Sequence, residues 1–467
     1  MKVLVVGNGG REHAIAWSLL RSPQVEQVFC TPGNGGTATL SRCQNLPYPV
    51  DDFERIGQAV REQGIDLVVV GPEVPLAMGI TDYLQAQGVM VFGPTKAGAQ
   101  IEASKAWAKA LMQEAGIPTA KAAVFTQESA AKDYVTAQGA PIVVKADGLA
   151  AGKGVIVAET VAQAHQALEA IFAGQFGDAG KFVVIEECLI GQEASVLALT
   201  DGITIRPLLP AQDHKRIGEG DTGENTGGMG VYAPAPLVTP ELMARIEREV
   251  LQPAIATLRS RGIDYRGVLY AGLMIAPTGE FKVLEFNCRF GDPETQAILP
   301  LLETPLEELL VACCQQKLGE LPLIAWKPGA AACVVAAAKG YPGAYEKGQV
   351  IIGIESAEAS GGCVFHAGTK LKQGAGSREQ GAGGQGDKGD KGEKRAEGAE
   401  GKRNLQSPHP TPYTPHPTTI VTDGGRVLGV TGVGENFERA IALAYDAIAQ
   451  IHFDGIYYRR DIGHRIQ

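Results

Sequence analysis

The segment Val283–Gln296, VLEFNCRFGDPETQ, places an acid, an amide and an arginine at alternate positions. Residues two apart on a strand share a face, so Glu285 and Asn287 project together, and Arg289 follows if the strand persists. A carboxylate and an amide oxygen are hard donors, suited to a magnesium ion that keeps water and phosphate oxygens in its remaining positions. Strand alternation also allows a plainer arrangement in which Glu285 faces solvent. A second segment, IVVKADGLAAGKGV from Ile142 to Val155, runs from an apolar stretch through Lys145 into a glycine-rich loop. It is not a Walker A phosphate loop: Gly148, Gly152 and Lys153 are one residue too close, and Gly154 stands where a hydroxyl would hold magnesium. Lys145 at the strand end, Lys105 on the preceding helix and the loop's backbone donors still fit a polyphosphate, although surface lysines are common.

Three further loops carry exposed backbone donors. GNGGREH, Gly7 to His13, follows a strand and opens a helix, where free N–H groups suit a phosphate or another anion. It fails the dinucleotide fingerprint because Glu12 stands in place of the third glycine. TPGNGGT (Thr31 to Thr37) and GPEVPL (Gly71 to Leu76) also follow strands, so all three loops should gather at one carboxyl edge of a sheet and could share a small polar ligand. In IEECLIGQE, Ile185 to Glu193, a strand exits on consecutive acids; main-chain groups at such a hinge can read an adenine edge, and a carboxylate can accept from ribose hydroxyls.

Positioning these segments requires an α/β architecture. Over about the first 100 residues, short apolar strands (KVLVV, VEQVFC, IDLVVVG, VMVFG) alternate with helical faces such as Phe53, Ile56, Val60 and Leu76, Ile80, Leu84, which implies a doubly wound parallel sheet. Strand and helix signals recur through PIVVKAD, VIVAET, Ala162–Phe172 and KFVVIEE. Hairpins are expected around Asp201-Gly202 and Pro277-Thr278-Gly279. Between those hairpins DHKRIGEGDTGENTGGMG is too long for a mere connection. A third unit begins after Pro328, and within it residues 373–418 have almost no apolar side chains, so that insert is read as disordered, a swollen hairpin tip between two strands.

With 467 residues, a prior of roughly one domain per 150 residues suggests about three domains. The expected division is residues 1–103, residues 104–327 with a lid subdomain over about 122–190, and residues 328–467 with the insert. The formal net charge of −10 argues against broad nucleic-acid binding. The start lacks a charged leader and no run reaches a membrane span, so a cytoplasmic protein, monomeric and off the membrane, is expected.

Taken in order, GNGGREHA, VVKADGLAAGKGV, QDHKRIGEGDTGENTGGMG, EFNCRFGDPETQ and YYRRDIGHR resemble the ATP-grasp superfamily, and within it the phosphoribosylamine-glycine ligases, over nearly the whole chain. The departure is the insert after Leu371, where that family has a short turn. The resemblance implies a central ATP-grasp domain with a mobile lid and a C-terminal α+β domain. ATP would lie with its phosphates at Lys105, Lys145 and the cover loop containing Gly152, Lys153 and Gly154. Main chain at Glu187 and Leu189 would meet adenine, and Glu193 the ribose. Magnesium, or manganese, would be held by Glu285 and Asn287; the neighbouring strand, YAGLMIA, supplies no additional acid. Lys215 and Arg216 are candidates for transition-state charge, and Arg289 and Asp292 for orienting glycine or phosphate. Loop convergence motivates placing Gly9, Gly10, Arg11, Glu12, Asn34 and Glu73 on the phosphoribosylamine side, with Asp213 as a further substrate contact. The implied reaction joins glycine to 5-phosphoribosylamine at the expense of ATP, through glycyl phosphate. Another ATP-grasp carboxylate-amine ligase is the alternative.

Overall fold

The structure, a computed structural model, describes residues 1–149, 154–372 and 419–466. The expectations for Gly152, Lys153 and the 373–418 insert therefore lie outside the described residues. Five short strands, β1 (Lys2–Gly7), β2 (Gln27–Pro32), β3 (Cys43–Asn45), β4 (Leu67–Val70) and β5 (Met90–Phe92), form a sheet in the order β3-β2-β1-β4-β5. All its pairings are parallel. Both faces are covered, which is why the strands read as continuous apolar runs: Leu4 and Val6 enter one core cluster, Val3 and Val5 another. Strand order turns from β2 on one side of β1 to β4 on the other. The crevice this opens at their carboxyl ends collects the loops at Gly9, Gly33 and Gly71. One expectation needs correction. The helix expected through Leu76, Ile80 and Leu84 is two helices, Glu73–Met78 and Ile80–Gln85, because Gly79 between them adopts φ +101, a left-handed conformation that ends the first helix.

The central region holds two antiparallel sheets. Strands β6 (Ala122–Phe125), β7 (Ile142–Ala146), β8 (Val155–Ala158) and β9 (Val183–Glu187) are ordered β6-β9-β7-β8. The helices Glu128–Gln138 and Val161–Phe172 pack on them through Ala131, Val135, Ala164 and Leu168. Of these elements, β6 and the helix Glu128–Gln138 escaped the sequence reading, since AAVF is short and ESAAKDYVTAQ has only a narrow apolar stripe. In the second sheet, β10 (Gln192–Thr200) pairs with β11 (Ile205–Pro207) across Asp201-Gly202, as the turn chemistry predicts.

The segment after β11 is more ordered than its composition suggests. It contains β12 (Gln212–Asp213), a hairpin of β13 (Arg216–Gly218) and β14 (Thr222–Asn225), and β15 (Gly230–Ala233). Strands β16 (Gly267–Ile275) and β17 (Phe281–Asn287) form the second predicted hairpin and complete the sheet β11-β10-β16-β17. Strands β18 (Ala330–Ala337), β19 (Cys363–His366), β20 (Thr369–Lys372), β21 (Thr419–Thr422) and β22 (Arg426–Gly434) belong to the third unit. Its main sheet is β12-β15-β18-β22-β19, so two strands of the central segment are built into it and tie the units together. Lys372 of β20 faces Thr419 of β21, so the strands on either side of the insert are hydrogen-bonded partners. No helix among the described residues is long and apolar enough to cross a membrane.

Candidate active site

A cavity of about 1030 Å³ lies between the two central sheets and is bordered by the N-terminal unit, the β13–β14 hairpin and two arginines of the third unit. Glu285 and Asn287 open onto it from β17 with Arg289 just beyond; the register slips at Leu284, between Val283 opposite Leu273 and Glu285 opposite Gly272, and Glu285 lies on the cavity side and not towards bulk solvent. Opposite Glu285 on β16 stands Gly272, which offers no side chain. Burial alone would raise the Glu285 carboxyl, but Lys215, Lys145, Lys105 and Arg289 outweigh it and hold the group below its ordinary range, ionised. Those four cations come from separate elements and meet only here.

Each lysine is held differently. Lys105, at the first turn of the helix Lys105–Glu114, donates from Nζ to the Gly148 carbonyl at 3.0 Å, which ties it to the start of the glycine loop. Burial pulls its ammonium below the ordinary lysine range, opposed chiefly by Glu285. Lys145 at the end of β7 is 2.9 Å from Glu186, and Glu186 is also 3.2 Å from Lys109. Lys109, Lys145 and Glu186 are all buried. Sequence reasoning missed Lys109 and Glu186. The period of two in β9 was the available signal, since Glu186 and Glu187 must point to opposite faces. Glu187 is the half-buried one, paired with Lys282, and its N–H already donates to the Lys121 carbonyl at 3.0 Å. Glu187, Leu189, Glu193 and Gly154 border the same cavity, and Glu193 pairs with Lys215 at 2.6 Å.

On the N-terminal side, Arg289 is bracketed by Glu102 at 3.0 Å and Glu73 at 3.5 Å. Burial raises the Glu102 carboxyl, while Arg289 and Arg11 bring Glu73 below its ordinary value despite its burial. Arg11 and Glu73 border the cavity; Gly9, Gly10, Glu12 and Asn34 do not. Glu12 is 1% exposed and accepts from Gly9 N–H and Arg11 Nε, each at 2.6 Å. The Asn34 amide donates to the carbonyls of Asn8 (3.0 Å), Gly9 (3.3 Å) and His366 (2.7 Å), and its oxygen accepts from Gly36 and Thr37. A Cβ at Gly10 would lie 2.5 Å from Gln296 Nε2. These residues therefore set the shape of the loops, whereas Arg11 and Glu73 point into the space the loops enclose.

The third unit contributes what no local pattern announced. Arg426, at the start of β22, reaches the cavity, pairs with Asp292 at 3.3 Å and donates to the Asp292 carbonyl at 2.9 Å. Arg426, and then Arg11, keep Asp292 ionised against its burial. The C-terminal segment read as YYRRDIGHR clamps the β13–β14 hairpin: Arg459, 0% exposed, and Arg465 both pair with Asp221, at 2.9 and 2.6 Å. Arg216 spans that hairpin to the Gly223 carbonyl at 2.6 Å. At the cavity floor Glu294, another residue the sequence reading passed over, accepts from Tyr270 Oη at 2.7 Å and Ser195 Oγ at 2.9 Å.

Among the described residues no group of three or more His, Cys, Asp or Glu side chains could hold a metal ion by itself. One ionised carboxylate and one amide oxygen, Glu285 and Asn287, instead fit a magnesium-like ion that arrives with phosphate oxygens as its other ligands.

Two antiparallel sheets facing each other across a cleft lined with lysines and arginines, with a paired carboxylate and amide, define an ATP-grasp protein. Residues 103–295 match the ATP-grasp (A) domain of phosphoribosylglycinamide synthetase, residues 1–102 its N domain and residues 331–465 its C domain, and the chain belongs to that family. It is 70% identical over 466 residues to a Nostoc sp. phosphoribosylamine-glycine ligase, covering 100% of both chains, and 54% identical to the Synechocystis sp. ligase with the same coverage. The crystal structure of the Thermotoga maritima phosphoribosylamine-glycine ligase is 32% identical, covers 99% of this chain and 100% of its own, and superposes with a TM-score of 0.77. The biotin carboxylase domain of Hydrogenobacter thermophilus 2-oxoglutarate carboxylase, 16% identical, shares the fold with a TM-score of 0.64 over 98% of this chain and 91% of its own.

Proposed function

We propose that this chain joins glycine to 5-phosphoribosylamine, with ATP converted to ADP and phosphate, to give glycinamide ribonucleotide for purine synthesis. The observation that carries the reading is the convergence of Lys105, Lys145, Lys215 and Arg289 on the ionised Glu285 inside one cavity, in a chain of this family. The glycine carboxylate attacks the γ-phosphorus of ATP and ADP departs, leaving glycyl phosphate. The ribosylamine nitrogen then attacks the acyl carbon, phosphate leaves and the amine loses a proton. No protein nucleophile is needed, so rate enhancement comes from positioning and charge neutralisation.

In this reading Lys105 and Lys145 meet the nucleotide phosphates, and Glu186 holds Lys145 and Lys109 at the spacing the phosphates require. Lys215 and Arg216, carried on a hairpin clamped by Arg459 and Arg465, face charge that develops in transfer. Glu285 and Asn287 would hold a magnesium or manganese ion, which when bound neutralises phosphate charge. Arg11 and Glu73, shaped by Glu12 and Asn34 beneath, border the ribosylamine side. Asp292 and Arg289 fix the wall between the substrates. An acyl phosphate hydrolyses, so water must be kept from the cavity during transfer.

The deciding experiment measures ADP release and product mass with ATP, glycine and freshly prepared phosphoribosylamine, each omitted in turn. Full turnover is expected only with all three. ADP release that ignores glycine, or a product with another amine alone, would overturn the reading.

A further inference from the structure

The two acids that end β9 are met by lysines on opposite faces of the strand. Glu187 pairs with Lys282 of β17, and its N–H and carboxylate are both bonded to the main chain of Lys121. That pair is half-exposed and balanced, one charge against one. Glu186 is buried, with Oε2 2.9 Å from Lys145 Nζ and Oε1 3.2 Å from Lys109 Nζ. Here the charges do not balance. Two ammonium groups share one carboxylate, so the trio, all of which borders the cavity, carries one positive charge in excess.

The two lysines are not equivalent. Lys109 rises from the helix Lys105–Glu114 and donates to Thr119 Oγ1 at 2.7 Å and to the Ala120 carbonyl at 3.3 Å, on the segment that leads into β6. Thr119 in turn donates to the Val283 carbonyl at 2.7 Å. Lys109 is thus turned into the protein, and it meets Glu186 through charge: Oε1 is closed to solvent and outside hydrogen-bonding alignment. Burial pulls the Lys109 ammonium below the ordinary lysine range, and Glu186 is the chief influence against it. Lys145 instead donates to the Leu284 carbonyl at 3.3 Å, next to Glu285 in sequence, and is one of the cations that hold Glu285 ionised. Were Lys109 absent, Glu186 and Lys145 would be a closed pair whose charges cancel. With Lys109 present, the acid is already matched and the Lys145 charge is left over for an anion in the cavity.

We propose that Lys109 is a positioning residue for the nucleotide: it acts through Glu186, cancelling that acid so that the Lys145 ammonium presents its charge to the phosphates. The inference rests on the ligation reading above, in which Lys145 meets those phosphates, and it adds a residue that does not itself touch substrate.

The test titrates the full chain with ATP and, separately, with adenosine, in wild type, Lys109→Met and Lys109→Met/Glu186→Gln. Methionine keeps an unbranched stem and removes the charge. ATP Kd should rise by about 10- to 100-fold in the single variant, the effect of one unit charge withdrawn at short range from a phosphate. Adenosine, which has no phosphate, should change by less than about 2-fold. Adding Glu186→Gln should recover at least about 5-fold of the ATP affinity, because Lys145 is then free again. A merely structural role would not produce that recovery, since a damaged cleft is not repaired by losing a second contact. Unchanged ATP affinity in Lys109→Met, equal weakening of ATP and adenosine, or no recovery in the double variant overturns the proposal. If Lys109→Met does not fold, Thr119→Val decides: it removes one acceptor of the ammonium and keeps its charge, so ATP affinity should stay within about 2-fold of wild type. A larger loss would assign the effect to those hydrogen bonds and overturn the proposal. Binding is read without turnover, so failure here leaves the ligation reading standing, whereas absence of glycine-dependent ADP release in wild type sinks that reading whatever the titrations show.

Discussion

Replacing His366 with glutamine should flatten the acid side of the protein's stability profile. His366 ends β19, where its N–H donates to His13 Nδ1 at 2.8 Å, its Nδ1 lies 3.0 Å from Thr369 Oγ1 and its carbonyl accepts from Asn34 at 2.7 Å. Burial lowers its imidazole to about 4, and burial together with His366 lowers His13 well below the ordinary histidine range. The unfolded chain takes up a proton near pH 6.5 that the folded chain refuses. Stability from the neutral ring is therefore whole above pH 6.5 and is lost as pH falls toward the folded value. At pH 5 the loss from His366 alone is roughly 1.5 pH units at about 1.36 kcal/mol each, or about 2 kcal/mol. Urea unfolding of wild type and His366→Gln at pH 7.5 and pH 5 checks this, and wild type should lose about 2 kcal/mol more than the variant over that interval. Equal losses would refute the assignment of acid sensitivity to this contact. Because Asn34 also holds the carbonyls of Asn8 and Gly9, the same protonation should loosen the loops beside Arg11 and weaken phosphoribosylamine binding before global unfolding.

Three other perturbations follow from the geometry. Glu285→Gln removes the charge that Lys105, Lys145, Lys215 and Arg289 surround; turnover at saturating magnesium should fall by about 100-fold or more, and near-normal turnover would remove Glu285 from the site. Arg426→Ala strips Asp292 of its ion pair and its carbonyl of a donor, so steady-state kinetics should show reduced kcat/KM and denaturation a loss of about 2 kcal/mol or more, while unchanged values would deny the third unit a part in the cavity. Gly71→Ala would set a Cβ 1.9 Å from Glu12 Oε1, forcing that carboxylate off the Gly9 N–H, and should cost about 2 kcal/mol or more by thermal or urea unfolding; wild-type stability would show that Glu12 is free to move.

Strand identity and facing were legible locally. The runs KVLVV and IDLVVVG, the turns at Asp201-Gly202 and Thr278-Gly279, and the alternation of Glu285 with Asn287 each follow from periods of two and from turn chemistry within a few residues. The same local logic stumbled at Gly79, where an apolar helical spacing continues through a residue whose left-handed backbone breaks the helix. It was silent on the short strands between Gln212 and Ala233, of which β15 pairs with β18, more than 90 residues away. What tertiary structure alone decided is the charge state and partnership of each polar group. Arg426 joins a cavity built mainly from residues before 300, Glu186 is drawn between two lysines, Glu12 and Asn34 turn into the loops they were expected to help line, and Asp213 keeps a buried carboxylate oxygen with no hydrogen-bond partner among the described residues. Periodicity is a property of neighbours in sequence, whereas desolvation and Coulomb energy depend on what the folded chain brings within a few ångströms, and that is settled only when distant elements pack.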